Sequence, residues 1–160
     1  MVQMNKLAFW KKALRITNNP PAKELDVLDM EKIISAKLPQ GYKNLLFNQN
    51  GGIVNADEFE YFYKNAKFKG NIGVMLPLSL CNEYFGIKEY LNDPPEFFPK
   101  GLIPFADDGG GNLTCFDYRK TKKEPPIVFW IHDAPEGEDV HFIANNFEEF
   151  INMLHKCEDV

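Results

Sequence analysis

The segment Asp107-Asp108-Gly109-Gly110-Gly111-Asn112 sets two adjacent carboxylates against three glycines and an amide, between two apolar, alternating stretches. Such a group could hold a metal, cradle a phosphate, or turn a corner between strands. A phosphate loop of the NTPase kind needs Lys-Ser or Lys-Thr after its last glycine, and here Asn112 and Leu113 follow. A dinucleotide loop needs spaced glycines opening a helix, whereas the strand-like "NLTCFDY" comes next. A calcium loop spreads its acids at alternating positions over about twelve residues; Asp107 and Asp108 are adjacent and Asp117 lies too far along a strand. The turn reading meets no such obstacle, because glycine tolerates positive φ and Asp or Asn side chains bond the turn's own backbone. A ligand or partner contact stays open beside it, since loops on a rigid sheet are where binding residues collect.

His132 and His141 flank "DAPEGED" in an expected hairpin. Counting inward makes them cross-strand partners, with Trp130 and Ile143 next on that face and Asp133 nearby. Two imidazoles and a carboxylate are part of a metal site, but no third ligand has an obvious source, and solvent-facing hairpin histidines are the simpler reading. His155 is expected alone on the surface of the last helix. There is no GxSxG elbow, the only serines are Ser35 and Ser79, and Cys115 falls in an expected strand, where a buried thiol is protonated and inert. No catalytic residue, metal or cofactor is therefore expected. Glu136, Glu138 and Asp139, at the hairpin tip, could meet a basic partner, or could only keep a loop soluble. Among aromatics near the loops, Phe97, Phe98 and Trp130 are candidate anchors, and each fits a core equally well.

The elements that must position these residues follow from periodicity. Leu7, Trp10 and Leu14 predict a helix over 5–16, broken by "NNPP". Val27, Met30, Ile34 and Leu38 predict a second over about 22–37. Pro39 suits the first turn of a third, which Asn50-Gly51-Gly52 can end with a left-handed residue. Two or three short strands are expected over 53–79, where Phe59 and Tyr61 alternate with Glu58 and Glu60. A helix is expected from near Asn82 to before Pro94. From Gly101 onward, "LIPFA", "NLTCFDY", "PIVFWIHD" and "DVHFIAN" predict an antiparallel meander. A closing helix is capped by Asn145 or Asn146, with Phe147, Phe150, Ile151 and Leu154 as its buried stripe. Helices and strands in this order predict one α+β domain over 1–160, a mostly antiparallel sheet with helices against one face.

Composition bounds the function. With 160 residues, 44% hydrophobic, and 14 phenylalanines, the chain can fill a core. No apolar run approaches the roughly 20 residues of a membrane span, and the lysine-broken start carries no apolar signal core. Cys81, Cys115 and Cys157 form neither a CxxC pair nor a disulfide framework, which fits free thiols in the cytoplasm. The net charge of −5 is uneven: +4 over 1–50, −2 over 51–100 and −7 over 101–160. An acidic final third argues against nucleic acid and is compatible with a basic partner protein.

Three segments together resemble the SUKH superfamily, which includes fungal cell-wall-assembly regulators of the Smi/Knr type and many bacterial immunity proteins. "LDMEKIISAKLPQGYKNLLFNQNGG" is similar to its first signature through Glu31, Leu38, Pro39, Tyr42, Asn50, Gly51 and Gly52. "IPFADDGGGNLTCFD" is similar to its second through Pro104, Phe105, Asp108, Gly109, Gly110 and Phe116. "NNFEEFINML" looks like its closing helix, with Asn146 where Ser is frequent; Gly41 stands where the family often has an acid. The resemblance spans about 25–154 and leaves out the N-terminal helix and linker at 1–21. It implies helices packed on an antiparallel sheet. For bacterial members it also implies neutralising a cognate secreted toxin, often a nuclease, by binding it without catalysis. For fungal members it implies regulation or scaffolding in envelope assembly.

Overall fold

The computed structural model describes residues 9–11, 19–79 and 85–156. The helix expected over 5–16 lies outside these except at 9–11, where Phe9 is buried and Trp10 bridges antiparallel to Val54. Cys81 and Cys157 also lie outside them.

Helix α1 (Glu24–Ile34) buries Val27 and Met30, as their spacing predicts. It stops three residues short of the expected end. Ser35 turns left-handed at φ 53°, and its N–H bonds the Lys32 carbonyl. The cause lies downstream, because Pro39 disfavours helical backbone at Leu38. Helix α2 (Gln40–Asn48) takes Pro39 as its N-cap, one position before the expected first turn, and buries Tyr42 and Leu46. Gln49, extended at φ −158°, ends it. The left-handed residue comes two positions later, at Gly51 with φ 87°.

The Asn50-Gly51-Gly52 segment docks the end of α2 onto residues 75–78, at the edge of the larger sheet. Asn50 Oδ1 accepts the Leu78 N–H (3.0 Å), and Gly52 exchanges backbone hydrogen bonds with Met75. A Cβ at Gly51 would sit 2.7 Å from both the Met75 carbonyl oxygen and the Pro77 nitrogen. Gly51→Ala is therefore expected to cost roughly 2 kcal/mol or more, from the left-handed backbone and the displaced neighbouring strand together. The midpoint of urea unfolding reads this directly.

Two sheets follow. β1 (Glu58–Tyr63) and β2 (Ala66–Asn71) form a hairpin, with Phe59 lying across the bare backbone of Gly70. The second sheet has the order β3 (Val74–Met75), β4 (Leu102–Asp107), β5 (Leu113–Asp117), β6 (Ile127–Trp130), β7 (Val140–Ala144), with every pair antiparallel. The meander predicted from Gly101 onward is present. β4 carries a bulge between Pro104 and Ala106, where proline's missing N–H is tolerated and Phe105 turns fully inward.

The start of the helix expected from near Asn82 lies outside the described residues, which do not include 80–84. α3 runs Ile87–Asn92 from an extended Gly86, whose N–H bonds Glu89 Oε1 (3.0 Å). α4 (Phe147–Met153) is capped by Asn146 Oδ1, which accepts the Glu149 N–H at 2.8 Å. Leu154 leaves the helix, and His155, expected within it, instead forms an extended bridge with Glu58.

One face of the five-stranded sheet carries the main core. Phe105 stacks on Phe116 (4.3 Å between centroids) and meets Tyr42, Phe147 and Phe150 edge-on or tilted, which ties α2 and α4 to β4 and β5. The other face holds a smaller cluster of Leu102, Leu113, Cys115, Val128 and Trp130, covered by Tyr90 and Phe98 from the segment between β3 and β4. The fold is α+β, with its helices concentrated on one face of an antiparallel sheet.

Candidate functional site

Successive turns of a meander fall at alternate ends of the sheet. The loop 108–112 and the loop 131–139 therefore share one end, and the loop 118–126 lies at the other. The shared end gathers the acids singled out from the sequence.

Asp108 closes its own loop. Its Oδ1 accepts the N–H of Gly110 (2.8 Å) and of Asn112 (3.1 Å), and its Oδ2 accepts the Asn112 side-chain amide (2.9 Å). Asp107 Oδ1 accepts the Gly109 N–H (3.0 Å). Burial at the end of β4 pushes the Asp107 carboxyl above its usual range, opposed by that N–H and aided by the Asp108 charge. The carboxylates of "DDGGGN" thus turn inward on the loop's own amides. Gly111, at φ 103°, lies so close under the His132 ring that a Cβ there would sit 2.9 Å from it. Asn112 Oδ1 accepts the backbone N–H of His132 (3.1 Å) and joins this loop to the next.

The two histidines are not partners. Phe129 faces His141 and Trp130 faces Val140, so the ladder ends before His132. The connection takes in Ile131 and His132 on one side and ends at Asp139 on the other, so counting inward from His132 and His141 misses the register. His132 is exposed beside Asn112, whereas His141 is 6% exposed, not solvent-facing. Its ring lies between Tyr61 and Tyr63, and its Nε2 is 2.8 Å from the Glu138 carbonyl oxygen.

At the hairpin tip, Glu136 is exposed. Glu138 accepts hydrogen bonds from the Tyr63 hydroxyl and from Lys64 Nζ, which hold its carboxyl below the usual range and keep it ionised. Asp139 Oδ2 accepts the Trp130 indole N–H (3.2 Å). Trp130 itself, expected as a candidate partner anchor, is 1% exposed and packed edge-on under Phe98. Its role is to hold Asp139 from below. Phe97, by contrast, is 82% exposed.

The remaining signature residues lie in the frame. Glu31, at 7% exposure, accepts the Leu38 N–H at 2.7 Å through Oε2, with Lys43 Nζ 3.9 Å away. Periodicity gave no sign of this buried carboxylate. The spacing of Glu31 to Leu38-Pro39 is the signal that would have found it. Cys115 is buried, and burial pushes its thiol well up. Among the described residues, no three His, Cys, Asp or Glu side chains are grouped so as to hold a metal ion, and no helix is long and apolar enough to cross a membrane.

The geometry defines an α+β scaffold with carboxylates on two linked loops at one end of its sheet, Asp107 and Asp108 turned onto their own loop and Asp133 and Glu136 exposed. A model of the SMI1 / KNR4 family (SUKH-1) matches residues 21–153, and the chain belongs to that family. It is similar to the SPbeta prophage-derived uncharacterized protein YokK of Bacillus subtilis (strain 168), with 31% identity over 153 residues, covering 87% of this chain and 75% of that protein.

Proposed function

We propose that this chain is a single-domain cytoplasmic immunity protein that neutralises a secreted toxin by direct binding, with no turnover of its own. The contact lies at the end of the sheet formed by residues 107–112 and 131–139, and the partner surface is basic. One observation carries the reading: on a scaffold of this family, Asp107, Asp108, Glu136, Glu138 and Asp139 meet at one end of the sheet. The relative with a prophage-derived name supports a role tied to mobile or competitive elements. Asp108, Glu138 and Asp139 are already fixed by internal hydrogen bonds, so ordering the loops on binding costs little conformational entropy.

The test is co-expression with the product of a neighbouring toxin-like gene. The chain is expected to co-purify with it and to protect a susceptible cell. Replacing exposed Asp133 and Glu136 by Lys is expected to slow association about tenfold or more at low salt and to change dissociation less, because rim charges act mainly on encounter. High salt is expected to bring the variant and the parent chain together. Failure to bind or protect against any such product would sink the reading.

A further inference from the structure

The opposite end of the sheet carries the reverse charge. The loop 118–126 contains Arg119, Lys120, Lys122 and Lys123 against one carboxylate, Glu124. It docks beside the end of α1 through the Lys37 N–H on the Lys122 carbonyl (2.8 Å) and the Tyr118 hydroxyl on the Lys37 carbonyl. Between loop and helix lies an open groove of about 430 Å³, lined by Leu28, Lys32, Ser35, Ala36, Lys37 and Lys122. Its floor is apolar, and Leu28 is 51% exposed. Its rim is three exposed ammonium groups. Glu31, the remaining lining residue, is buried and turned to the Leu38 N–H.

The chain holds a matching shape of opposite sign. At the 131–139 tip, Ala134 and Pro135 sit between exposed Asp133 and Glu136. A small apolar pair flanked by carboxylates fits an apolar floor rimmed by lysines. Tip and groove lie at opposite ends of the strands, so one copy cannot fill its own groove with its own tip. We propose that the chain associates with itself head to tail, the 133–139 tip of one copy seated in the groove of the next. Two different surfaces meet, so the contact is heterologous and builds a ring or an open chain rather than a two-fold dimer.

Sedimentation velocity over a concentration series tests this with the full chain alone. Mass is expected to rise with concentration at low salt and to fall back at high salt. Lys32→Glu with Lys122→Glu reverses two of the three groove ammonium groups; Asp133→Lys with Glu136→Lys reverses the two exposed tip carboxylates. Each double variant is expected to weaken self-association about tenfold or more. All four side chains are exposed, and unchanged thermal melts check that the variants stay folded. An equimolar mixture of the two variants is expected to regain association, because each supplies the end the other has lost. Three results would overturn the proposal: no association up to roughly millimolar protein, association that survives both reversals, or a mixture that stays monomeric. No toxin enters the experiment, so its failure is separate from failure of the immunity reading.

Discussion

Phe105→Ala is expected to remove about 3–5 kcal/mol of stability, the range for emptying a fully buried aromatic site. Phe105 is 0% exposed and stands where four other rings converge: Phe116 at 4.3 Å, Phe147 and Phe150 at 5.7 Å, and Tyr42 at 5.9 Å. Those rings come from β5, α4 and α2, so the cavity would open where helices and sheet meet and could not close by moving one element. Against a total of about 5–15 kcal/mol for an ordinary domain, that loss leaves the fold marginal. Urea unfolding with the slope held equal reads it. Phe142→Ala is the control. Phe142 lies on β7 at 55% exposure and is expected to change stability by no more than about 0.5 kcal/mol. Equal costs for the two would mean that the aromatic cluster is not the centre of the core.

Glu31→Ala is expected to cost about 1–3 kcal/mol, and for a different reason. The Glu31 carboxylate holds the Leu38 N–H at 2.7 Å, just where the chain leaves α1 and must reach Pro39 to begin α2. Leu38 is 3% exposed, so truncating Glu31 leaves a buried donor without a partner. Glu31→Gln keeps an acceptor oxygen and is expected to cost less than half as much. The Lys43 ammonium, 3.9 Å from the same oxygen and partly exposed, adds little, since partly solvated pairs contribute about 0–1 kcal/mol. If Gln proved as damaging as Ala, the ion pair and not the Leu38 amide would be what Glu31 serves.

Much of the frame was legible because period and punctuation agreed. Short β-prone runs separated by turn residues after Gly101 gave the meander. The α4 cap was narrowed to Asn145 or Asn146, of which Asn146 serves, and Val27 and Met30 gave the buried face of α1. Boundaries slipped where a residue's conformation depends on its neighbours in space. α1 ends early to reach Pro39, and Leu154 leaves α4 so that His155 bridges to Glu58. Near the candidate site the errors share a cause. Register across the 131–139 connection depends on where the ladder stops, at Trp130 and Val140, which no local pattern shows, and the tyrosines that enclose His141 come from β1, distant in sequence. Trp130 read equally as anchor or core, and only the presence of Phe98 over it decides. The acids at the tip were visible in sequence. Their meeting with the Asp107-Asp108 loop depends on strand order.

Calorimetric titration of the neighbouring gene's purified toxin-like product into this chain, at low and at high salt, tests the central claim most directly. The acidic-end account predicts saturable binding that weakens with salt, weakens further with Asp133→Lys and Glu136→Lys together, and silences the toxin in the complex. Absence of binding, or binding indifferent to both salt and charge reversal, would contradict it.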